Sequence, residues 1–252
     1  MADHAERRSS WVRVVAAAAV ALVAVIGLLA WGHGHSLEPV RVVGDVAPTG
    51  PRPPSSADPE ILARVGLRPS DVGPGWTVSL IDEGDQLSQP TLDFCGLRFA
   101  SEARREARRQ VAARSASSEY WGVSTEAVLY RDQASAAEAM GELRGIGSRC
   151  PSGPVPGSVP GEPTLVWRVA NASTSGWPGA GSLDRVALSV KLAEPGGDPT
   201  DQVVVYLRRG RLLLGVYFSD APDSDLAGGP GMGDAVDLFA RRIAALPASD
   251  VS

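Results

Sequence analysis

The chain has 252 residues, of which 44% are hydrophobic and 21% charged, with 28 Gly and 20 Pro. This is ordinary globular composition with a surplus of turn formers, and it excludes collagen-like and wholly disordered classes. Twenty-four Lys plus Arg against 29 Asp plus Glu leave a net charge of -5, so no basic excess exists to neutralise phosphates and nucleic acid is not an expected partner. His4, His33 and His35 all fall in the first 35 residues, and everything beyond them lacks an imidazole for general-base or metal chemistry.

The first element is apolar. Val14 to Trp31 holds 18 uncharged residues, and Trp11 and Trp31 stand about 30 Å apart at the rise of an α-helix, one at each interface of a bilayer. Residues 11–31 are therefore predicted to form a single transmembrane helix. Arg7, Arg8 and Arg13 precede the uncharged run that starts at Val14 and the next basic residue is Arg41, so the positive-inside rule predicts a cytoplasmic segment over 1–10 and export of everything after Trp31. A cleaved signal peptide is the competing reading. The apolar run exceeds a usual signal core, and WGHGHSLEP offers no good small-x-small cleavage site. No Cys follows the segment, which excludes lipoprotein processing.

Residues 32–59 carry five prolines in their last twelve positions and few large apolar groups, the composition of an extended tether. Residues 60–247 read as one extracytoplasmic α+β domain, and 248–252 as a disordered tail. Within the domain a short helix is predicted over 60–65 and a strand over 76–81. Ser101 to Arg114 has high helix propensity, with Ala103, Ala107 and Val111 on one face. A strand follows over 123–130, then a helix over 135–146 opened by a Ser135/Glu138 capping box. The second half alternates with period two: Leu165, Trp167 and Val169, then Val186, Leu188, Val190 and Leu192. Residues 202–208 and 211–218 read as two strands joined by a tight turn at Arg209-Gly210. Val236, Phe239, Ile243 and Leu246 form the apolar stripe of a last helix, with Asp234 as its N-cap. The predicted fold is a mainly antiparallel sheet with helices on one face.

Cys95 and Cys150 are the chain's two cysteines, and export places both where thiols oxidise, so one disulfide is predicted. A zinc site would need two further ligands from a domain without His. The G-x-S-x-G, H-E-x-x-H and Walker patterns are absent, no cofactor is implied, and Lys191, the sole lysine, has no Ser-x-x-Lys context. The acids Asp82, Glu83 and Asp85, and Asp220, Asp223 and Asp225, follow strands and are the material for a hydrolase built on paired carboxylates. Asp223 and Asp225 lack the remaining ligands of a calcium loop, and the glycines of GGPGMG lack the lysine of a phosphate cradle. His33 and His35 read as incidental to the tether, and Asn171-Ala172-Ser173 fits a glycosylation acceptor pattern. Arg104, Arg105, Arg108, Arg109 and Arg114 form the one local basic patch, with Glu102 and Glu106 spaced to pair with Arg105 and Arg109.

The order Cys95, helix, VSTEAVLYRD, ASAAEAMGELR, Cys150, then DQVVVYLRRGRLLLGVYFSD and AVDLFARRIAAL resembles the extracytoplasmic sensor-type domain of the PknH-like family of actinobacterial membrane proteins over roughly residues 61–247. The resemblance implies a ligand-binding or sensory domain with a cleft between sheet and helices and no enzymatic role. The chain departs from the family in having one cysteine pair where relatives commonly have two, and in having no kinase domain. The expected function is that of a single-pass, membrane-anchored protein of the cell envelope that binds a ligand or a membrane-protein partner without catalysis. Arg104, Arg105, Arg108, Tyr120 and Trp121 are its candidate lining residues. The alternatives are an envelope hydrolase and a structural subunit of a membrane complex.

Overall fold

The computed structural model describes residues 58–115, 121–156, 163–175, 177, 183–219 and 231–252. The proposed membrane helix, the tether up to residue 57, Tyr120, and Asp220, Asp223 and Asp225 lie outside the described residues. None of the described helices is long and apolar enough to cross a membrane.

Among the described residues eight strands form one sheet: β1 (Trp76–Leu80), β2 (Arg105–Ser115), β3 (Trp121–Tyr130), β4 (Pro154–Val155), β5 (Leu165–Asn171), β6 (Asp184–Ala193), β7 (Thr200–Arg209) and β8 (Leu212–Ser219). Their order is β1-β2-β3-β8-β7-β6-β5-β4 and every neighbouring pair is antiparallel. Two meanders, β1 to β3 and β4 to β8, thus meet at the β3–β8 pair. The expected antiparallel α+β sheet is present.

The helices are α1 (Asp58–Val65), α2 (Gln133–Arg144), α3 (Ile146–Arg149), α4 (Met232–Ala244) and α5 (Ala248–Val251). They lie on both faces of the sheet, which corrects the expectation of one. Ile61, Leu62 and Val65 of α1, and Val236, Phe239 and Ile243 of α4, pack with Val111, Ala113, Val205, Leu214 and Val216 on a first face. Ala136, Ala139, Met140 and Leu143 of α2 pack with Val128, Leu188, Val190, Val204 and Leu213 on the second. The cause is visible in VVVYL and LLLGVYF. Their runs of consecutive apolar residues give both faces of β7 and β8 surface that must be covered, where strict alternation would have left one face wet. The last residues also depart from the expected disordered tail: α5 buries Val251 against the first face.

The largest local departure is Ser101 to Arg114, predicted as a helix. Residues 100–104 make a short 3-10 turn and the rest is β2, paired with β1 on one side and β3 on the other. Helix propensity differs by tenths of a kcal/mol per residue, and two ladders of backbone hydrogen bonds outweigh it. The cap of α2 also shifts. Its N-cap is Asp132, whose carboxylate accepts the Ser135 amide at 2.7 Å, and Glu138 turns away to pair with Arg104. For α4 the N-cap is Gly231, and the far end is closed by Arg209, whose guanidinium donates to the carbonyls of Ile243, Ala244 and Leu246.

Candidate functional site

Two polar features stand out against the apolar layers. The first is a buried row of charges and hydroxyls on the second face, under the irregular strap of residues 82–99. From β2, Arg105 donates to the carbonyls of Leu87 (2.8 Å), Gln89 (2.6 Å) and Glu102 (3.0 Å) and to Thr91 Oγ1 (2.9 Å). Arg108 pairs with Glu126 of β3, and it donates to the Glu83 carbonyl at 3.1 Å and to the Gln110 side-chain amide. The other Glu126 oxygen accepts the Tyr217 hydroxyl at 3.1 Å, which leaves Tyr206 to donate to Tyr217 at 3.1 Å. Arg108 and Glu126 side chains are each 3% exposed, so the pair is almost dry. A lone charge there would be untenable, and the mutual bonds make burial possible.

Glu102 completes the row. It accepts the amides of Thr91 (2.8 Å) and Leu92 (3.1 Å) and pairs with Arg105 at 3.1 Å. Burial raises its pKa above the ordinary carboxylate value, opposed by Arg105 and by the two amides. Burial likewise raises Tyr130, Tyr206 and Tyr217, which keeps all three phenols neutral. The strap is further tied to the end of α3 by the disulfide between Cys95 and Cys150, whose Cα atoms are 5.4 Å apart. Cys95 (φ +57°) and Gly96 (φ +62°) both take left-handed backbone, and the Leu97 amide closes onto the Phe94 carbonyl at 2.9 Å, so the cysteine stands in a tight turn.

The structure distributes the residues singled out from sequence. Arg105 and Arg108 are inside, engaged by the strap. Arg104 stays at the rim with Glu138. Trp121 is at the other end of the same ladder: Arg105 is opposite Tyr130 and Arg114 opposite Trp121, and nine residues of strand separate them by about 30 Å. The expected pairing of Glu102 with Arg105 is present, whereas Glu106 turns to the first face, where Arg211 bridges it and Asp58. Glu83 Oε2 accepts the Gln89 amide. Among the described residues no group of three or more His, Cys, Asp or Glu is placed to hold a metal ion. Glu126, Tyr206 and Tyr217 were missed in the sequence, although one carboxylate inside the apolar strand VSTEAVLY is itself a sign of a buried partner.

The second feature is an open cleft of about 310 Å³ at the β5–β6 border, bounded by Val166, Arg168, Lys191, Ala193, Glu194 and Pro199. Gly196 and Gly197 form the turn at its lip, Gly196 with φ +81°.

No family model and no curated protein sequence matches the chain. Among solved structures it is similar to the extracellular domain of PknH from Mycobacterium tuberculosis, at 14% identity and a TM-score of 0.44, covering 78% of this chain and 100% of that one. It is also similar to a Mycobacterium smegmatis protein described as the Rv0999 ortholog, at 15% identity and a TM-score of 0.38, covering 73% of this chain and 94% of that one. The first belongs to the family that the sequence order resembles.

Proposed function

We propose that the protein is a single-pass membrane protein whose domain, from residue 58 onward, lies outside the cytoplasm and binds a ligand or a membrane-protein partner without catalysis. Residues 1–10 are its cytoplasmic end, 11–31 its membrane helix and 32–57 its tether. The observation that carries this reading is the Cys95–Cys150 bridge. A structural disulfide in a domain with an adequate core is a feature of oxidising compartments, and the arginines before the apolar segment orient the chain so that the domain reaches one. The non-catalytic part is supported by the state of the buried acids. Glu102 and Glu126 are each held by an arginine and by further hydrogen-bond donors, the surroundings of carboxylates that support a fold.

Protease added to intact spheroplasts tests the arrangement. The domain is expected to be degraded from outside while a cytoplasmic control survives, and non-reducing mass spectrometry is expected to recover a peptide linking Cys95 to Cys150. Protection of the domain until lysis, together with two free thiols, would overturn the proposal.

A further inference from the structure

We propose that the cleft between β5, β6 and the turn at residues 194–199 binds a small zwitterionic ligand of the amino-acid class, its carboxylate on Arg168 and its ammonium on Glu194. The proposal rests on the binding role above and names the ligand chemistry. Three observations carry it.

The first is an imbalance of charge in the sheet. Arg168 of β5 is directly opposite Lys191 of β6, and Lys191 is opposite Asp201 of β7. Like charges facing each other across a ladder repel. Lys191 is compensated on its other side, because its ammonium pairs with Asp201. Arg168 has no such neighbour and remains an exposed guanidinium without an ion pair among the described residues. Its planar fork of donors is suited to a carboxylate taken through two parallel bonds.

Second, the same cleft holds an acid in the same condition. Glu194 borders it; its carbonyl accepts the Gly197 amide at 2.9 Å, while its carboxylate has no ion-pair or hydrogen-bond partner among the described residues. Two opposite charges that line one cavity without meeting each other complement a ligand carrying both signs. A purely anionic ligand would be repelled by Glu194, and a purely cationic one by Arg168. Val166, Ala193 and Pro199 supply an apolar floor for an aliphatic side chain. About 310 Å³ is at the small end of ligand pockets, a size for one amino acid and too little for a folded segment.

The third observation is position. The chain enters the domain at Asp58, which is gripped by Arg211 in the β7–β8 turn. The 194–199 turn is at the opposite end of β7, and ten residues of strand put it about 30 Å from that entry. The cleft therefore lies at the end of the sheet remote from Asp58.

The test is a titration of the full-length protein in nanodiscs by calorimetry, with leucine, N-acetyl-leucine and leucinamide as probes. Leucine is expected to bind saturably, and each capped analogue about tenfold more weakly, the loss that goes with one charge-assisted contact. Arg168→Ala is expected to abolish the preference for leucine over leucinamide, and Glu194→Gln the preference over N-acetyl-leucine. Neither side chain supports the core, so unchanged thermal midpoints are the control. Absence of saturable leucine binding, equal binding of the three probes, or variants that discriminate as the parent does would each overturn the proposal. The spheroplast result stands apart from all three, so a failure here is distinguishable from a failure of the membrane arrangement.

Discussion

Gly210 shows how much one atom is asked to avoid. It opens the two-residue β7–β8 turn at φ +57°, and a Cβ placed there would come within 1.8 Å of the Val251 carbonyl oxygen, whose partner is the Arg211 amide at 2.8 Å. The obstacle is backbone, so no side-chain rotation relieves it. Gly210→Ala is expected to destabilise the domain by well over 1 kcal/mol, read from the urea midpoint. The turn was legible in Arg209-Gly210, one residue early: the register pairs Arg209 with Leu212, which puts Arg211 in the turn. The Arg108–Glu126 pair makes a second case. Arg108→Met leaves a buried carboxylate facing apolar surroundings and is expected to cost about 3–5 kcal/mol. Arg108→Met with Glu126→Leu removes both charges and is expected to restore most of that loss. A double variant as unstable as the single one would show that packing under the strap, and not charge, holds this region.

At the scale of elements, β2 is where local signals and tertiary context part. REARRQVAARS contains good helix formers, and the arginine and glutamate spacing imitates a salt-bridged helix. In the strand the same spacing sends Arg108 and Gln110 to the second face and Val111 and Ala113 to the first. Residue 109 separates the two descriptions by experiment. Arg109 is opposite Ala127, whose methyl belongs to the first-face core. Arg109→Val replaces a helix former by a strand former beside an apolar neighbour, and is expected to be neutral or stabilising by up to about 1 kcal/mol; a helix would lose stability. The alternating run in β5 and the stripe of α4 were readable because each had one wet side to set a period, and β6 keeps such a side only from Ser189 onward, since Val186, Ala187 and Leu188 are all buried. The period fails where both faces are buried, as in β7 and β8, and sequence alone did not say that two helical layers were needed.

For the whole molecule, the bridge from Cys95 to Cys150 ties the strap to the end of the α2–α3 hairpin across a separation of 55 residues. On the chain-entropy account such a closure contributes about 4 kcal/mol by restricting the unfolded chain. Reduction, or Cys95→Ser with Cys150→Ser, is therefore expected to lower the thermal midpoint strongly, as measured by calorimetry. The native strap retains the arginine contacts to Leu87, Gln89 and Glu83, so its fold is expected to persist at low temperature. A midpoint unchanged on reduction would place the stability elsewhere.

Composition, period and the apolar run near the start determined the class of object: an antiparallel α+β domain behind a candidate anchor, with two cysteines to join and no imidazole to work with. Those are properties of single residues and near neighbours, and the sequence states them directly. Tertiary structure decided the rest: β2 as a strand, helices on both sides of the sheet, Arg105 and Arg108 drawn inside to hold a strap, and an arginine and a glutamate left unpaired on one cleft. Each of these depends on residues tens of positions apart meeting in space, where desolvation and cross-strand pairing outweigh the small preferences that a local reading can register.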